Sequence, residues 1–255
     1  MYSSRIAVLI PSTSKGRSWK SVKESYLFIH TLKTFALTYD QEHEWRFYIG
    51  LDRDDPIYDT DESKKYLERF TSIFKNVGIE FVHMDGIAKG HLTIMWNRLF
   101  EKSHNDGFDY FFQCGDDITF ETKGWANDCI RALKSSDDFG MTGPINNNQR
   151  ILTQSFVSRK HMELFGHYFP EEIINWCCDD WINEVYIRLG QFYPLKNHQC
   201  LNVGGQPRYE INNDPSFHDE KFSQSLAKLR SDASRIAQKD VIRAQEKLKS
   251  LSAKI

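Results

Sequence analysis

The stretch YFFQCGDDITF, residues 110–120, sets two adjacent carboxylates, Asp116 and Asp117, between runs of aromatic and apolar residues. The apolar residues before the pair predict a strand that is buried on both faces, as in a parallel sheet. Adjacent carboxylates repel each other and are costly to desolvate, so they need a compensating charge nearby. The stretch therefore predicts a central strand with a charged site at its end.

Strand and helix patterns alternate along the chain before this stretch. RIAVLIP, residues 5–11, is a continuous apolar run that predicts a fully buried strand. The further predicted strands lie in residues 44–56, 79–85 and 109–120. The predicted helices cover residues 18–38, 61–78 with a stop at Gly78, and 91–104. This alternation predicts an α/β fold in which helices flank a mixed, mostly parallel sheet.

The alternation continues after residue 120 and gives way to a different kind of segment. A helix is predicted over 125–138, a strand over 139–145, a strand and a helix start within 151–166, and a late strand in 192–205. From residue 218 to residue 255 the chain has no glycine or proline, and apolar residues recur at helical spacing. We expect a main domain over residues 1–213. Over residues 214–255 we expect an amphipathic helix or linker that packs on this domain, mediates self-association or leads to further domains.

Composition limits the classes of function. The chain has 255 residues, of which 40% are hydrophobic and 14% aromatic, which is enough for a sizeable core. Its formal net charge of −2 shows no basic excess, so we expect no nucleic-acid partner. The five cysteines are odd in number and form no C-x-x-C pair, which favours reduced thiols and a cytoplasmic location. We find no apolar run long enough for a membrane span.

Two acidic clusters follow predicted strands. Asp52 belongs to LDRDD after the second strand, and Asp116 and Asp117 follow the fourth. In an open α/β sheet, ligands bind at the carboxyl ends of the strands, so we expect these carboxylates at one edge. Magnesium and manganese prefer one or two protein carboxylates, completed by water and substrate phosphates. The pattern favours a metal–diphosphate site; the alternative is that one aspartate caps the next turn and the other is solvated.

A third acidic pair, Asp179 and Asp180, lies between Trp176 and Trp181. A carboxylate beside large aromatic side chains in a partly dry cleft has the raised proton affinity that a general base needs. Alternatively, one of the two aspartates caps the N-terminus of the helix WINEVYIRL, residues 181–189. The two roles are compatible, because one carboxylate can cap while the other faces the cleft.

Several other polar side chains are suited to a phosphorylated ligand. STSKGR, residues 12–17, offers hydroxyls and cations without the spacing of a P-loop. AKGH, residues 88–91, offers a lysine at a helix N-terminus, where backbone amides bind anions. His198 follows a late strand and is a candidate to complete a metal shell. The candidates for cofactor binding in these segments and in the following helix are Ser12, Thr13, Arg17, Lys89 and Asn97.

Together these motifs resemble the nucleotide-sugar-dependent glycosyltransferases of the GT-A fold. IAVLIPS, LDRDD, CGDDITF and CDDWI carry the resemblance, which covers residues 5–200. The nearest pattern is N-acetylglucosaminyltransferase I, whose EDDL metal motif parallels GDDI and whose WDDWM base motif parallels CDDWI. Compact glycosyltransferases of bacteria and of large DNA viruses are also similar. The sequence departs from the family pattern at Gly115, where the family has an acidic residue.

The resemblance implies a role for each matching residue. Asp117 would ligate the metal, and Asp116 would lie near the ribose or the donor sugar. Asp52 would contact the nucleotide base. Asp179 would be the catalytic base, with Asp180 beside it. The side chains that the resemblance places near the sugars are Thr153, Gln154 and Trp176.

We therefore expect a metal-dependent, inverting glycosyltransferase that uses Mn²⁺ or Mg²⁺. It would move a sugar from a nucleoside-diphosphate donor, with UDP as the family default, to a hydroxyl of a glycan acceptor. Two other functions stay open. A nucleotidyltransferase shares the sheet and the paired carboxylates, although STSKGR is poor in the glycine that a triphosphate loop needs. A non-catalytic carbohydrate-binding or scaffold module on the same fold is favoured by Gly115.

Overall fold

The computed structural model describes residues 3–88, 90–204 and 220–252, with the side chains of the last segment described from 226 to 250. Within these residues, eight strands form one sheet: β1 (Arg5–Ser12), β2 (Glu44–Leu51), β3 (Val77–His83), β4 (Tyr110–Gln113), β5 (Ile118–Phe120), β6 (Met141–Ile145), β7 (Ser155–Ser158) and β8 (Phe192–Asn202). The α-helices are α1 (Lys33–Thr38), α2 (Asp61–Thr71), α3 (Leu92–Asn105), α4 (Trp125–Lys134), α5 (Arg159–Phe165), α6 (Cys178–Arg188) and α7 (Glu220–Ser252). The domain boundary predicted between residues 213 and 214, and the candidate Lys89, lie outside the described residues.

The sheet combines a parallel half with a mixed half, in the order β3-β2-β1-β4-β7-β6-β8-β5. β3, β2, β1 and β4 run parallel to one another. β7 is antiparallel to β4 and β6, β8 is parallel to β6, and β5 is antiparallel to β8. Parallel neighbours need a crossover connection, and the helices α1, α2 and α3 provide the crossovers of the first half. The predicted α/β class, a mixed sheet flanked by helices with a helix at the C-terminal end, is confirmed.

Both faces of the sheet are buried, which explains why its central strands read as unbroken apolar runs. Successive residues of β4 point to opposite faces. Phe112 packs in a core with Trp45 and Trp125, and Phe111 packs in a second core with Phe100. Both β4 rings are fully buried, and burial of one such ring contributes about 2–3 kcal/mol. Aromatic packing on both faces therefore holds β4 in the centre of the sheet.

Residues 110–120 form two strands rather than the single strand predicted. The chain turns at Asp116 and Asp117 between β4 and β5. β4 pairs with β1 and β7 at the centre of the sheet, whereas β5 pairs with β8 at one side. The carboxylate pair follows a central strand, but the apolar residues after the pair belong to another part of the sheet. Local apolarity is the same in both strands, so it did not reveal the turn.

The helix predicted over 61–78 is shorter in the structure. It ends at Thr71, and Gly78 lies within β3 and not at a helix end. Thr60 is the N-cap, and its hydroxyl accepts the amide of Ser63 at 3.2 Å. The glycine read as a helix stop instead occupies a strand beside β2.

The helix predicted over 18–38 is divided, and its middle part supports the acidic turn. A π-helical turn at Leu27–Leu32 precedes α1. Within this turn, the hydroxyl of Thr31 donates to the backbone carbonyl of Asp116 at 2.9 Å and lies 3.2 Å from that of Ile118. π-helical turns are rare and often occur at functional sites. Through the contacts of Thr31, this turn fixes the start of β5.

The C-terminal segment forms the long helix α7, which packs on the domain. Its buried side chains include Ala233, Ala237, Val241 and Ala244, and the first three lie in the core that also contains residues of α6. Small side chains at such positions allow helices to approach closely. Of the helices within the described residues, none combines the length and the apolarity that a bilayer crossing requires.

Candidate active site

One edge of the sheet gathers the polar segments of the chain. The strand directions bring the carboxyl ends of β1, β2, β3, β4, β6 and β8 to this edge, together with the amino ends of β5 and β7. The turn at 114–117 and the loop at 146–154 therefore meet there. Open α/β sheets bind their ligands at the carboxyl ends of their strands. This edge is the candidate active site.

Asp116 is fully buried and anchors the turn between β4 and β5. Its Oδ2 atom accepts a hydrogen bond of 2.6 Å from the hydroxyl of Ser12, the last residue of β1. The structure thus brings two of the predicted cofactor-binding residues into direct contact. Because Ser12 is only 1% exposed and Asp116 is 0% exposed, the pair ties the turn to β1 from beneath the edge.

The carboxylate of Asp117 is half-buried and enclosed by two glycines. A Cβ atom at Gly115 would lie 2.5 Å from Oδ1 of Asp117, and a Cβ atom at Gly204 would overlap the same carboxylate. The amide of Val203 donates to the backbone carbonyl of Asp117 at 2.9 Å. An acidic side chain at position 115 would therefore displace Asp117. This is a physical reason for glycine at the position where the resembling family has an acid.

Asp179 and Asp180 occupy the first turn of α6, which begins at Cys178. Cys177, with a left-handed φ of 71°, is the N-cap, so the alternative that an aspartate caps this helix does not hold. The amide of Asp180 donates to Oδ1 of Asp179 at 3.0 Å. Desolvation raises the pKa of Asp179 to about 6, and the neighbouring Asp180 carboxylate adds to the increase. Asp179 thus has the proton affinity of a general base that works near neutral pH.

Asp180 is held by two arginines from separate elements. Nη1 of Arg150, in the loop after β6, lies 2.5 Å from Oδ1 of Asp180. Nε of Arg230, on α7, lies 3.7 Å from the same oxygen. By contrast, Asp179 forms no ion pair with any residue that the structure describes. The two carboxylates of the pair therefore differ in kind: one is paired with cations and the other is available.

The segment 152–154 connects the loop after β6 to the first turn of α6. The amide of Leu152 donates to Oδ1 of Asn183 at 3.0 Å, and Nδ2 of Asn183 donates back to the Leu152 carbonyl at 2.8 Å. Nδ2 of Asn183 also donates to the carbonyl of Asp179 at 2.8 Å. Asn183 is 1% exposed. This buried amide holds the loop and the aspartate turn together.

The same segment also connects to the strand beside Asp117. Nε2 of Gln154 donates to Oδ1 of Asn202 at 2.6 Å, and Nδ2 of Asn202 donates to the hydroxyl of Thr153 at 3.0 Å. Asn202 is followed by Val203 and Gly204, which contact Asp117. Gln154 is 1% exposed and helps to hold the edge together, and its role as a sugar contact stays a prediction. The Asp117 turn and the Asp179 turn are thus linked through one short segment.

The loop after β1 carries two cations in different situations. Nζ of Lys15 forms an ion pair of 2.9 Å with Asp52, the residue predicted to contact a nucleotide base. The guanidinium of Arg17 lies 4.8 Å from the ring centre of Tyr26 and 5.6 Å from that of Trp19. Nε and Nη2 of Arg17 are buried and have no acceptor among the described residues. Buried donors of this kind call for an acceptor, which a phosphorylated ligand can supply.

Asp55 joins the loop after β1 to the loop after β2, a role that the sequence did not reveal. Its carboxylate, 1% exposed, accepts the amide of Ser14 at 2.8 Å, the hydroxyl of Thr13 at 3.3 Å and the amide of Tyr58 at 2.8 Å. Burial alone would raise the pKa of Asp55, but these hydrogen bonds hold it below its usual value. The Asp-Pro dipeptide at 55–56 is the available sequence signal for such a turn.

Asn97 forms hydrogen bonds, and Trp176 packs, against other segments of the protein. Nδ2 of Asn97 donates to the carbonyl of Phe169 at 2.8 Å, and its Oδ1 accepts the amides of Tyr168 and Phe169 at 3.0 and 2.9 Å. Asn97 therefore holds this segment on α3, and its role as a cofactor ligand stays a prediction. Trp176 is half-buried just before the start of α6 and packs on the core that contains Trp181.

His198 lies away from the acidic turn. Its Nε2 is 2.9 Å from Oδ2 of Asp128, and its Nδ1 is 3.0 Å from the hydroxyl of Thr122. Asn202, which pairs beside Asp117, lies four positions further along β8, or about 13 Å along a strand. The partners of His198 in the structure are thus apart from the acidic turn, and its role in a metal shell stays a prediction.

The side chains at the edge fit one kind of metal site. Among the described residues, no group of three His, Cys, Asp or Glu side chains is placed to hold a metal by itself. Asp117 offers one half-buried carboxylate. Mg²⁺ and Mn²⁺ are commonly held by one or two carboxylates and by substrate phosphates. The residues therefore fit a metal that a bound diphosphate helps to hold, and they do not form a closed protein cage.

A cavity of about 430 Å³ opens between the loop 145–152 and β8. Arg150, Phe192, Pro194 and Lys196 contribute to its wall, and no carboxylate lines it among the residues that the structure describes. Its volume is within the range of small-molecule sites, which is about 300–1,000 Å³. Because Arg150 also binds Asp180, this cavity adjoins the first turn of α6.

Solved structures of GT-A glycosyltransferases have a similar fold. The structure of S. aureus TarS 1–349 with UDP-GlcNAc aligns with a TM-score of 0.53 and 12% identity, over 81% of this chain and 62% of that chain. The structure of GalNAc-T7 with UDP, GalNAc and Mn²⁺ aligns with a TM-score of 0.57 and 8% identity, over 78% of this chain and 44% of that chain. The chain therefore spans less than two thirds of each neighbour. At these identities, the likeness establishes the fold.

Sequence comparison adds no relative. The chain matches no protein-family profile and no curated protein.

Proposed function

We propose that this chain is a metal-dependent, inverting glycosyltransferase that moves a sugar from a UDP-sugar to a hydroxyl of a glycan acceptor. The observation that carries the proposal is the connection between Asp117 and Asp179. The first is a carboxylate fit to hold a metal, and the second is a carboxyl with a pKa of about 6. Both lie at the ligand-binding edge of a sheet and are linked through the segment 152–154. Glycosyl transfer from a diphosphate donor needs these two groups in one site.

The donor nucleotide would lie across the ends of β1 and β2. The unsatisfied Nε and Nη2 atoms of Arg17 are suited to its diphosphate. Asp52, beside Lys15, is the candidate contact to the base, and Lys89 remains a predicted phosphate contact. The UDP complexes of TarS and GalNAc-T7 favour uridine as the nucleoside. The proposal includes the resemblance of GDDI and CDDWI to the metal and base motifs of N-acetylglucosaminyltransferase I.

Asp117 would hold Mn²⁺ or Mg²⁺, while Asp116 and Ser12 keep the turn beneath it in place. When bound, the metal would compensate the charge that develops on the departing diphosphate. Gly115 and Gly204 leave room for the Asp117 carboxylate at this position. GalNAc-T7, whose structure contains Mn²⁺ with UDP, favours manganese.

Asp179 would remove the proton from the acceptor hydroxyl. The hydroxyl oxygen forms a bond to the anomeric carbon as the bond from that carbon to the phosphate oxygen breaks, and the nucleoside diphosphate leaves. An attack in line with the leaving group inverts the configuration of the anomeric carbon. Asp180 is less suited to the role of base, because Arg150 and Arg230 already bind its carboxylate. Its charge instead raises the proton affinity of Asp179.

The acceptor would extend into the cavity between the loop 145–152 and β8. Phe192 and Pro194 offer apolar surface on which a sugar ring can stack, and Asn146, Asn148 and Gln149 offer amides for its hydroxyls. The cavity wall reaches Arg150, which contacts Asp180. An acceptor seated there would therefore end close to the Asp179 turn.

The state of the cysteines supports a cytoplasmic location for this enzyme. All five thiols are free and buried. Burial raises the pKa of Cys114 and of Cys129, so these thiols are unreactive near neutral pH. Free thiols are typical of reducing compartments.

Two measurements test the proposal. Isothermal titration with UDP, in the presence and absence of MnCl₂, is expected to show binding that depends on the metal. Incubation with a panel of UDP- and GDP-sugars is expected to release free sugar slowly from at least one donor, and Asp117→Ala and Asp179→Asn are expected to abolish this release. The proposal fails if no nucleoside diphosphate binds in a metal-dependent way.

The same protein distinguishes the two alternatives. A nucleotidyltransferase would release pyrophosphate from a nucleoside triphosphate and a sugar 1-phosphate, and glycosyl transfer would not. A carbohydrate-binding or scaffold module would release no sugar from any donor of the panel.

A further inference from the structure

The C-terminal helix α7 lies directly against the helix that carries the two aspartates. The two helices are in contact, and the buried Ala233 and Ala237 of α7 lie in the same core as side chains of α6. The hydroxyl of Ser234 adds a hydrogen bond of 2.7 Å to Oε1 of Glu184 on α6. α7 is therefore part of the layer that supports α6.

Asp240 of α7 holds the residue that follows the aspartate pair. Nε1 of Trp181 donates to Oδ2 of Asp240 at 3.1 Å, and the two residues are 0% and 8% exposed. A buried indole N–H needs a partner, and a carboxylate is a stronger acceptor than a neutral oxygen. Phe165, His167 and Phe169 pack around the same indole. The orientation of Trp181, and with it that of the preceding turn, depends on α7.

Arg230 of α7 reaches the aspartate pair itself. Its Nε lies 3.7 Å from Oδ1 of Asp180, and Nη1 of Arg150 lies 2.5 Å from the same oxygen. The Asp180 carboxylate is thus held by Arg150 of the loop after β6 and by Arg230 of α7. Its side chain has little rotational freedom left beside Asp179.

We propose that Arg230 and Asp240 are positioning residues of glycosyl transfer, which fix the first turn of α6 so that Asp179 meets the acceptor hydroxyl at reacting distance. This inference rests on the proposed function. A misplacement of about 1 Å in a catalytic group can lower turnover on the order of 100-fold. Contacts behind the base therefore act on the reaction although they touch no substrate. The C-terminal helix accordingly belongs to the catalytic unit.

The charges around Asp179 give this arrangement a signature in the pH dependence. Desolvation raises the pKa of Asp179 most, Asp180 raises it further, and Arg150 lowers it. Removal of Arg230 would leave the negative charge of Asp180 less compensated, so the pKa of Asp179 would rise further. Because the Arg230 side chain is 48% exposed, solvent limits this change. The other titratable groups that face this turn are Cys177, Cys178, His167 and Asp240.

The test compares arginine variants of α7 in the full chain. The probe is the UDP-sugar that the wild type hydrolyses fastest among UDP-GlcNAc, UDP-GalNAc, UDP-glucose and UDP-galactose with MnCl₂, and release of UDP is followed from about pH 5 to about pH 9 around the pKa of the base. Arg235→Gln is the matched control for Arg230→Gln, because Arg235 is 60% exposed on the same helix and pairs with Asp232 within it. Arg230→Lys tests whether a cation alone restores the function.

We expect Arg230→Gln to lower kcat about 3- to 10-fold with an unchanged KM for the donor, since a positioning contact acts on the transition state. Its acid limb should move to higher pH by less than about one pH unit. Arg230→Lys should recover most of both changes, and Arg235→Gln should match the wild type. A role in folding alone would move neither the pH profile nor the ratio of kcat to KM.

A second pair of variants tests Asp240 independently. Asp240→Leu removes the acceptor of the Trp181 N–H, and Asp240→Asn keeps an oxygen at the same place. We expect a loss of kcat about tenfold or more for Asp240→Leu and a smaller loss for Asp240→Asn, with donor KM unchanged in both. Thermal melts establish whether each variant is folded. If Asp240→Leu does not fold, the Arg230 variants alone decide the test.

The outcomes separate this inference from the function on which it rests. A folded wild type that hydrolyses none of the donors would overturn the proposed function, and this inference with it. A wild type that is active, with Arg230→Gln and Arg235→Gln identical in kcat and in pH profile, would overturn this inference and leave the proposed function standing.

Discussion

The carboxylate of Asp117 lies so close to Gly204 that a methyl group at position 204 would overlap it. The two residues flank different strands: Asp117 precedes β5, and Gly204 follows β8. A hydrogen bond of 2.9 Å from the amide of Val203 to the carbonyl of Asp117 fixes their separation. Gly115 flanks the carboxylate on its other side. The carboxylate of Asp117, the predicted metal ligand, therefore fits at this position because both of its neighbours, Gly115 and Gly204, lack a side chain.

A methyl group at position 204 should weaken metal binding without unfolding the protein. We expect Gly204→Ala to push the Asp117 carboxylate aside and to reduce the manganese-dependent affinity for UDP about tenfold or more, because a metal ligand tolerates little displacement. Isothermal titration with UDP and MnCl₂ measures the change. Gly78→Ala is the matched control, since a Cβ atom there would meet no atom closer than 3.7 Å. Equal affinities in the two variants would contradict the role of Asp117.

Asp179→Asn should separate donor binding from turnover. We expect a loss of about 10²–10⁴ in donor hydrolysis, the usual contribution of a general base, with UDP affinity unchanged. In the wild type, the rate should rise with pH through about 6, the pKa of Asp179, because the base must be ionised. The rate of Asp179→Asn should show no such increase with pH. A wild-type rate that is constant across this range would point to another base.

The same substitution should stabilise the fold, and the gain should depend on pH. A carboxyl group whose pKa is raised to about 6 in the folded protein disfavours folding once it is ionised. The asparagine variant avoids this cost, which we expect to be on the order of 1–2 kcal/mol at about pH 7.5. The gain should vanish below about pH 4, where Asp179 is protonated in both the folded and the unfolded state. Urea unfolding at the two pH values measures the difference, and an equal gain at both would show that the carboxyl is not desolvated.

Arg17→Gln should weaken the binding of UDP with or without metal. The buried Nε and Nη2 atoms of Arg17 find no acceptor among the described residues, so a diphosphate would satisfy them with charge-assisted hydrogen bonds worth about 1.5–3 kcal/mol. That range corresponds to roughly a 10- to 150-fold loss of affinity. Arg131→Gln serves as the control, because Arg131 is 76% exposed and pairs with Asp128 within α4. An unchanged affinity for UDP would place the diphosphate elsewhere.

The strands that the sequence predicted best are those whose residues are buried on both faces. β1 contains the apolar run of residues 6–11, β2 ends in the run of residues 47–51, and the order of both strands relative to the helices is recoverable from periodicity alone. The bounds of α2 were less predictable, because Gly78 reads as a helix stop and lies instead in β3. A glycine signals a change of backbone direction without saying which element follows.

The candidate site was only partly visible in the sequence. Two of the three acidic stretches were visible because carboxylates after strands are a local pattern, and the third, Asp179 and Asp180, because it lies between two tryptophans in the sequence. The hydrogen-bond partners of Asn97 and His198 were not visible, since Phe169, the partner of the first, and Asp128, the partner of the second, are remote in sequence. Asp55 was overlooked as a lock between loops for the same reason. Side-chain chemistry indicates what a residue can do, and its neighbours decide what it does.

The sequence by itself determined the alternation of strands and helices and the place of each acidic motif at the end of an element, because both depend on residues that are neighbours in the chain. The tertiary structure alone decided that Asp117 is enclosed by Gly115 and Gly204, and that Asp180 is held by Arg150 and Arg230 while Asp179 is left available. These outcomes depend on the packing of distant segments against one another. Burial and charge pairing are properties of that packing, and they set the proton affinity and the position on which the proposed chemistry relies.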